Sequence, residues 1–168
     1  MRAALTAVIA WLALGAPQTP DIHFVPTTNG IIDAMLTMAH VTREDVVYDL
    51  GSGDGAILIR AAEKFGARGV GIEIDPELVR TATARALKRG LADRVRFLQG
   101  DLFKADISDA TVVTLYLSAS INRRLEPKLM HELKPGTRVV SHRFEMYGWP
   151  AEEQKSVGGR EIYLWTIR

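Results

Sequence analysis

Apolar residues in this chain fall into short blocks of two kinds that alternate along its length. From Asn29 to His40 they sit at Ile31, Ile32, Met35, Leu36 and Met38, the spacing of one helical face. Val46–Leu50 is a short apolar run of the kind found in strands buried on both sides. Ala56–Phe65 reads as a helix stopped by Gly66, and Gly69–Ile74 as a second buried strand. Asp75 caps and Pro76 opens a helix that runs to Lys88 and closes at Gly90. Val95–Leu98, the β-branched Thr111–Leu117 and Thr137–Ser141 read as further strands, with a helix over Arg123–Leu133. Arg160–Ile167 is a final strand after Gly158-Gly159. Phe24-Val25-Pro26-Thr27 is extended, because a residue before proline is pushed out of the helical region.

Strands that alternate with helices build a mostly parallel sheet covered by helices on both faces, an α/β fold. The 168 residues suffice for one such domain and not for two. The first twenty residues stand apart. Met1-Arg2 precedes an apolar run from Ala3 to Ala16, and Pro17-Gln18-Thr19-Pro20 follows. A positive start, a short apolar stretch and small residues at Ala13 and Gly15 read as a secretory signal or anchor. The chain therefore divides into a signal-like or membrane-anchoring segment, 1–20, and a folded α/β domain, 21–168.

Ligands of parallel sheets sit at the carboxyl ends of the strands, so the residues there carry the chemistry. After the first strand comes Asp49-x-Gly51-x-Gly53-Asp54-Gly55, whose glycines let backbone approach a ligand. The second strand ends near Glu73, about twenty residues further on, where a carboxylate takes ribose hydroxyls. The third is followed by Gly100-Asp101-Leu102-Phe103, an acid for an exocyclic amine and an apolar pair to flank an adenine. Together these describe an adenosine site. Gly51-x-Gly53-x-x-Ala56 also satisfies the dinucleotide fingerprint, so charge has to decide. A pyrophosphate would face Asp49 and Asp54, at about 4 kcal/mol per contact at ~4 Å and an effective dielectric near 20. S-adenosylmethionine carries a sulfonium and an ammonium, which the same acids attract.

The remaining composition narrows the field further. Cysteine is absent, which excludes disulfides, thiolate metal sites and a cysteine nucleophile. Net charge is +1, giving no general pull toward nucleic acid. No metal is expected.

Asp49-Leu-Gly-Ser-Gly-Asp-Gly55, Gly71-Ile-Glu-Ile-Asp75 and Gly100-Asp-Leu-Phe103 resemble motifs of the class I, seven-β-strand methyltransferases. Phe24-Val-Pro-Thr27, Asp109–Thr114, Leu125–Leu129, Glu132–His142 and Gly148-Trp149 resemble the small archaeal broad-specificity protein-lysine methyltransferases. These are similar in turn to the mitochondrial lysine methyltransferases. The resemblance implies a Rossmann-like seven-stranded sheet whose last strand is antiparallel. It implies donor contacts at Asp49, Gly51, Gly53 and Asp54, ribose at Glu73, and adenine near Asp101 and Leu102. It also implies that Phe24–Thr27, with Pro26 and Thr27, folds over the methionine end of the donor. Phe24 stands where the archaeal pattern has Tyr, so a phenol contact is lost.

The reaction so implied is in-line displacement by a lysine amine, in which the enzyme mainly places the reactants. Phe24, Tyr116 and Trp149 are the candidates for lining the acceptor channel. The fourth strand ends in Thr114-Leu115-Tyr116-Leu117 and lacks the Asn/Asp-Pro-Pro-aromatic run of enzymes that methylate nucleic-acid amines. The short chain leaves little to enclose a small acceptor, so the expected partner is a protein presenting lysine to a monomeric enzyme. A small molecule or lipid acceptor is the alternative, and a binding module without transfer a third reading. Arg123, Arg124 and Lys128 are candidates for a basic rim. The N-terminus points to export or the membrane, and the cofactor's supply to the cytoplasm.

Overall fold

The structure is a computed structural model and describes residues 27–168. The signal-like run, Phe24 and Pro26 lie outside the described residues. Chain order is α1 (Asn29–Met38), β1 (Val46–Leu50), α2 (Ala56–Phe65), β2 (Arg68–Glu73), α3 (Pro76–Lys88), β3 (Val95–Gln99) and β4 (Val112–Leu115). It continues through α4 (Ala119–Glu132), β5 (Arg138–His142), β6 (Glu153–Val157) and β7 (Arg160–Thr166). One seven-stranded sheet results, in the order β3-β2-β1-β4-β5-β7-β6. The first five strands in that order pair in parallel, and β7 runs antiparallel to both β5 and β6.

Each face of the sheet has its own apolar layer. Val47, Val112 and Val140 face a layer with Ile32, Met35 and Leu36 of α1, Leu58 of α2 and Ala82 of α3. Leu50, Leu115 and Val139 face the other side, against Leu125 and Leu129 of α4 and against Trp165. Helices thus cover both faces, as the alternating pattern predicts.

Two polar networks fix α1 in its place. Asp33 accepts from Arg60 at 2.7 and 2.8 Å and from Lys64 at 2.8 Å, joining α1 to α2. Those bonds hold its carboxyl below the ordinary carboxylate range. Arg138, at the start of β5, donates to the carbonyls of Ala39 and His40 at 2.8 and 3.1 Å and pairs with Asp45. The end of α1 is therefore pinned at the amino end of β5. Thr27 lies just before its beginning.

Three expectations need correction. Helix α4 starts at Ala119 rather than Arg123, capped by Ser118, whose hydroxyl accepts from Ile121 N at 3.3 Å. Strand β6 has no counterpart in the apolar pattern, because its residues Glu153–Val157 are almost all exposed at the sheet edge. Helix α1 ends at Met38, two residues short of His40, which has φ 49°.

Candidate functional site

The loop between β1 and α2 is built to turn tightly beneath a ligand. Gly51 and Ser52 donate to the carbonyl of Ile72 at 2.8 and 3.0 Å, so the loop hangs from β2. Gly55 has φ 78°, and a Cβ there would lie 2.5 Å from Phe97 Cζ, so the position requires glycine in conformation and in space.

Asp49 lies on β1 and is 2% exposed. Its register partner on β4 is Thr114, whose hydroxyl donates to Asp49 Oδ1 at 2.7 Å. Among the described residues Oδ2 accepts no hydrogen bond. Burial pushes the carboxyl up to about 7; the charges of Glu73 and Asp54 push the same way, and the Thr114 bond opposes them. A nearby cation would relieve this strain on the ionised form.

Glu73 ends β2 and is 8% exposed. Its Oε2 accepts from Gly53 N at 2.9 Å, and Oε1 from Ile74 N and Asp75 N at 2.8 and 3.0 Å. Backbone amides thus hold the carboxylate in one orientation across the loop. A carboxylate has about four acceptor sites, so room for about one hydroxyl remains. Gly53 therefore touches the site through its amide as well as its position.

The other predicted residues fall into two groups. Asp101 follows β3; its Oδ1 accepts from Phe103 N at 2.9 Å, and Lys104 lies 3.7 Å from Oδ2. Gly100 N donates to Glu73 O at 2.8 Å, joining this loop to the end of β2. Leu102 is half-buried, whereas Phe103 turns its ring to Arg124, 4.1 Å away. Asp75 caps α3 through Glu77 N at 2.8 Å. Asp54 pairs with Arg85 of α3 and accepts from Ala56 N at 3.2 Å. Its charge already has a cation in Arg85.

The acceptor candidates separate. Tyr116, just past β4, packs at a tilt on His142 with ring centroids 4.0 Å apart. Trp149 instead packs on Trp165 at 5.8 Å, and its carbonyl accepts from Trp165 Nε1 at 2.7 Å. Trp165 belongs to the α4 face of the sheet. His142 shares the alternation of Val140, which belongs to the α1 face. The structure therefore does not bring Tyr116 and Trp149 together. Of the basic rim, Lys128 bonds Glu132 at 2.7 Å and the Arg123 guanidinium lies 4.0 Å from the Tyr147 ring.

Two positions at this end of the sheet escape sequence reasoning. Thr114 is a single polar residue in an apolar strand; the signal that finds it is the register that sets it opposite Asp49. His142 ends an apolar strand and is indistinguishable in sequence from an ordinary core histidine. Among the described residues no group of three or more His, Cys, Asp or Glu could hold a metal ion.

Comparison with known proteins supplies the context. Residues 49–153 match the family described as ANTKMT methyltransferase domain. The chain is 46% identical over 153 residues to a protein-lysine N-methyltransferase of Saccharolobus islandicus, covering 88% of this chain and 95% of that one. It is 40% identical over 126 residues to the adenine nucleotide translocase lysine N-methyltransferase of Mus musculus, covering 74% of this chain and 55% of that one. Among solved structures it is similar to an RNA methyltransferase from Salinibacter ruber in complex with S-adenosyl-L-homocysteine. That match has 57% identity and a TM-score of 0.84, and covers 85% of this chain and 94% of the other.

Proposed function

The chain belongs to the ANTKMT methyltransferase domain family, and on that premise we propose that it transfers the methyl group of S-adenosylmethionine to lysine side chains of proteins. The observation that carries the reading is the pair of buried acids at the ends of adjacent parallel strands, Asp49 and Glu73, spanned by the glycine loop.

The residues present suit this donor. Asp49 is a buried carboxylate in need of a positive partner, and the donor's methionine end is cationic. Glu73 is fixed by amides with acceptor capacity left for ribose. Asp101 and Leu102 follow β3, which pairs with the strand that carries Glu73, and are assigned to the adenine; Pro26 and Thr27, just before α1, are assigned to the methionine end. Asp54 serves the loop by accepting from Ala56 N and pairing with Arg85. When bound, the donor supplies an electrophilic methyl carbon. The protein's task is to place that carbon against the acceptor nitrogen.

A second reading has a specific observation behind it, the RNA methyltransferase structure. The end of β4 weighs against it. Leu115-Tyr116-Leu117-Ser118 offers no Asn/Asp-Pro-Pro-aromatic run to grip a base amine. Two finer proposals concern residues and states beyond the site: Ala3–Ala16 attaches the protein to a membrane, and the enzyme works as a monomer. Fractionation of a tagged full-length chain and its sedimentation coefficient test these.

Methyl-labelled S-adenosylmethionine incubated with the protein and a whole lysate tests the main reading. The label is expected in the protease-sensitive fraction. Label confined to ribonuclease-sensitive or solvent-extractable material contradicts it.

A further inference from the structure

At the carboxyl end of β5 lies a polar group without a partner. His142 is 0% exposed, and neither ring nitrogen has a hydrogen-bond partner among the described residues. Buried nitrogens of this kind are nearly always satisfied, so an orphaned pair calls for an explanation. The site around it is specific. Tyr116 lies against the ring at 4.0 Å and an interplanar angle of 41°. Tyr116 comes two residues after Thr114, which holds Asp49. Arg160 Nη1 reaches Tyr116 Oη at 3.5 Å. Arg143, the next residue after His142, has φ 76°, a conformation that side chains rarely adopt and that clusters at functional sites. Its amide donates to Glu161 O at 2.7 Å, which anchors the turn to β7.

We propose that His142 is the group that receives an N–H of the acceptor amine and aims its lone pair at the methyl carbon, reached when the Tyr116 ring swings aside. This rests on the lysine reading given above. The position fits, because β4 and β5 are adjacent and the donor acid Asp49 is on β4's other neighbour, β1. The charge fits as well. Burial, then Arg160 and Arg143, push the imidazole down to about 4, so it is neutral with one acceptor nitrogen. The same guanidiniums disfavour an ammonium beside them and favour the free amine, which is the form that reacts. In the step, the nitrogen lone pair forms the new N–C bond while the C–S bond breaks and its electron pair stays on sulfur. The positive charge moves to nitrogen, and a proton leaves to water before any further transfer. His142 neither gains nor loses a proton.

The test uses the full chain, methyl-labelled S-adenosylmethionine and lysate proteins as acceptors. His142→Phe keeps a ring against Tyr116 and removes both nitrogens. Its initial transfer rate is expected to fall roughly tenfold, the worth of one lost hydrogen bond, with S-adenosylhomocysteine affinity unchanged. The isosteric pair His142→Gln and His142→Met separates hydrogen bonding from packing. Gln is expected to transfer faster than Met, and this comparison stands if the Phe variant does not fold. Equal rates for wild type and His142→Phe, or for Gln and Met, overturn the proposal. A wild type that labels only RNA or lipid overturns the lysine reading and this inference with it. Labelling of protein lysines by wild type and His142→Phe alike overturns the inference alone.

Discussion

Asp49 ties donor binding to pH. Its carboxyl is raised to about 7 by burial and by the neighbouring acids, so below that pH the folded protein without donor carries it protonated. Because its folded value lies above its unfolded one, its contribution to stability falls as pH rises from the carboxylate range to about 7, and is flat above. A cationic donor favours the ionised form, so binding below pH 7 must release a proton. Donor affinity is therefore expected to rise with pH by up to about tenfold per unit and to level off above pH 7. Calorimetric titration between pH 5 and 8 reads this directly, and a flat profile counts against the placement of Asp49. Asp49→Asn is expected to remove the slope, weaken binding and make the protein without donor more stable at pH 8. Glu73→Ala removes an amide-held acceptor and is expected to weaken donor affinity by at least about 1–2 kcal/mol. Both acids were legible in the sequence, because each ends an apolar run that reads as a buried strand. Thr114 was not, since it is distant in sequence from Asp49 and becomes its partner only through the β1–β4 register. His142 was not, since nothing local separates it from a core residue. Asp54 has a partner, Arg85, on another helix, which no local pattern reveals.

Among the elements, α1 is the one whose placement rests most on polar contacts. Arg138 spans from β5 to the carbonyls of Ala39 and His40 just past α1 and to Asp45, which is also held by Thr111 Oγ1 at 2.6 Å and Thr42 N at 2.8 Å. Burial raises the Asp45 carboxyl, but the Thr111 and Thr42 bonds and the Arg138 charge outweigh it and hold it below the ordinary range. Its share of stability is present above that range and is lost as pH falls through its folded value. Arg138→Met leaves Asp45 without its counter-ion and is expected to cost about 2–4 kcal/mol, less than a fully buried pair because the arginine is partly exposed. Hydrogen exchange should show α1 opening before β1 or β4. Protection of α1 unchanged in the variant would show that apolar packing alone seats it. The buried strands and helices α1 and α2 were readable because each buries one apolar set, and α3 because Asp75, Pro76 and Gly90 mark its ends. Strand β6 was not, because an exposed edge strand is polar by necessity and carries no alternation to read. The first turn of α4 was hidden for a related reason. Ser118, Ser120 and Asn122 interrupt the apolar pattern, yet Ser118 is a helix cap and Asn122 is buried, donating to Phe144 O at 3.0 Å.

At the scale of the whole molecule, one strand order gathers the chemistry. Placing β1 between β2 and β4, with β5 next, sets the donor acids, Tyr116 and His142 along one edge of the sheet. The described domain is almost entirely sheet and covering helices, so nothing in it forms a second wall around the acceptor. That suits a side chain presented by another protein, and it is the part of the reading that charge and glycine spacing alone did not reach. The direct test is to locate the transferred group. Wild-type protein is incubated with deuteromethyl S-adenosylmethionine and lysate proteins, and the products are sequenced by tandem mass spectrometry. Deuteromethyl groups on lysine Nε, lost in Asp49→Asn, are the predicted result. Deuteromethyl groups found on RNA bases or small molecules, with none on lysine, would contradict the account.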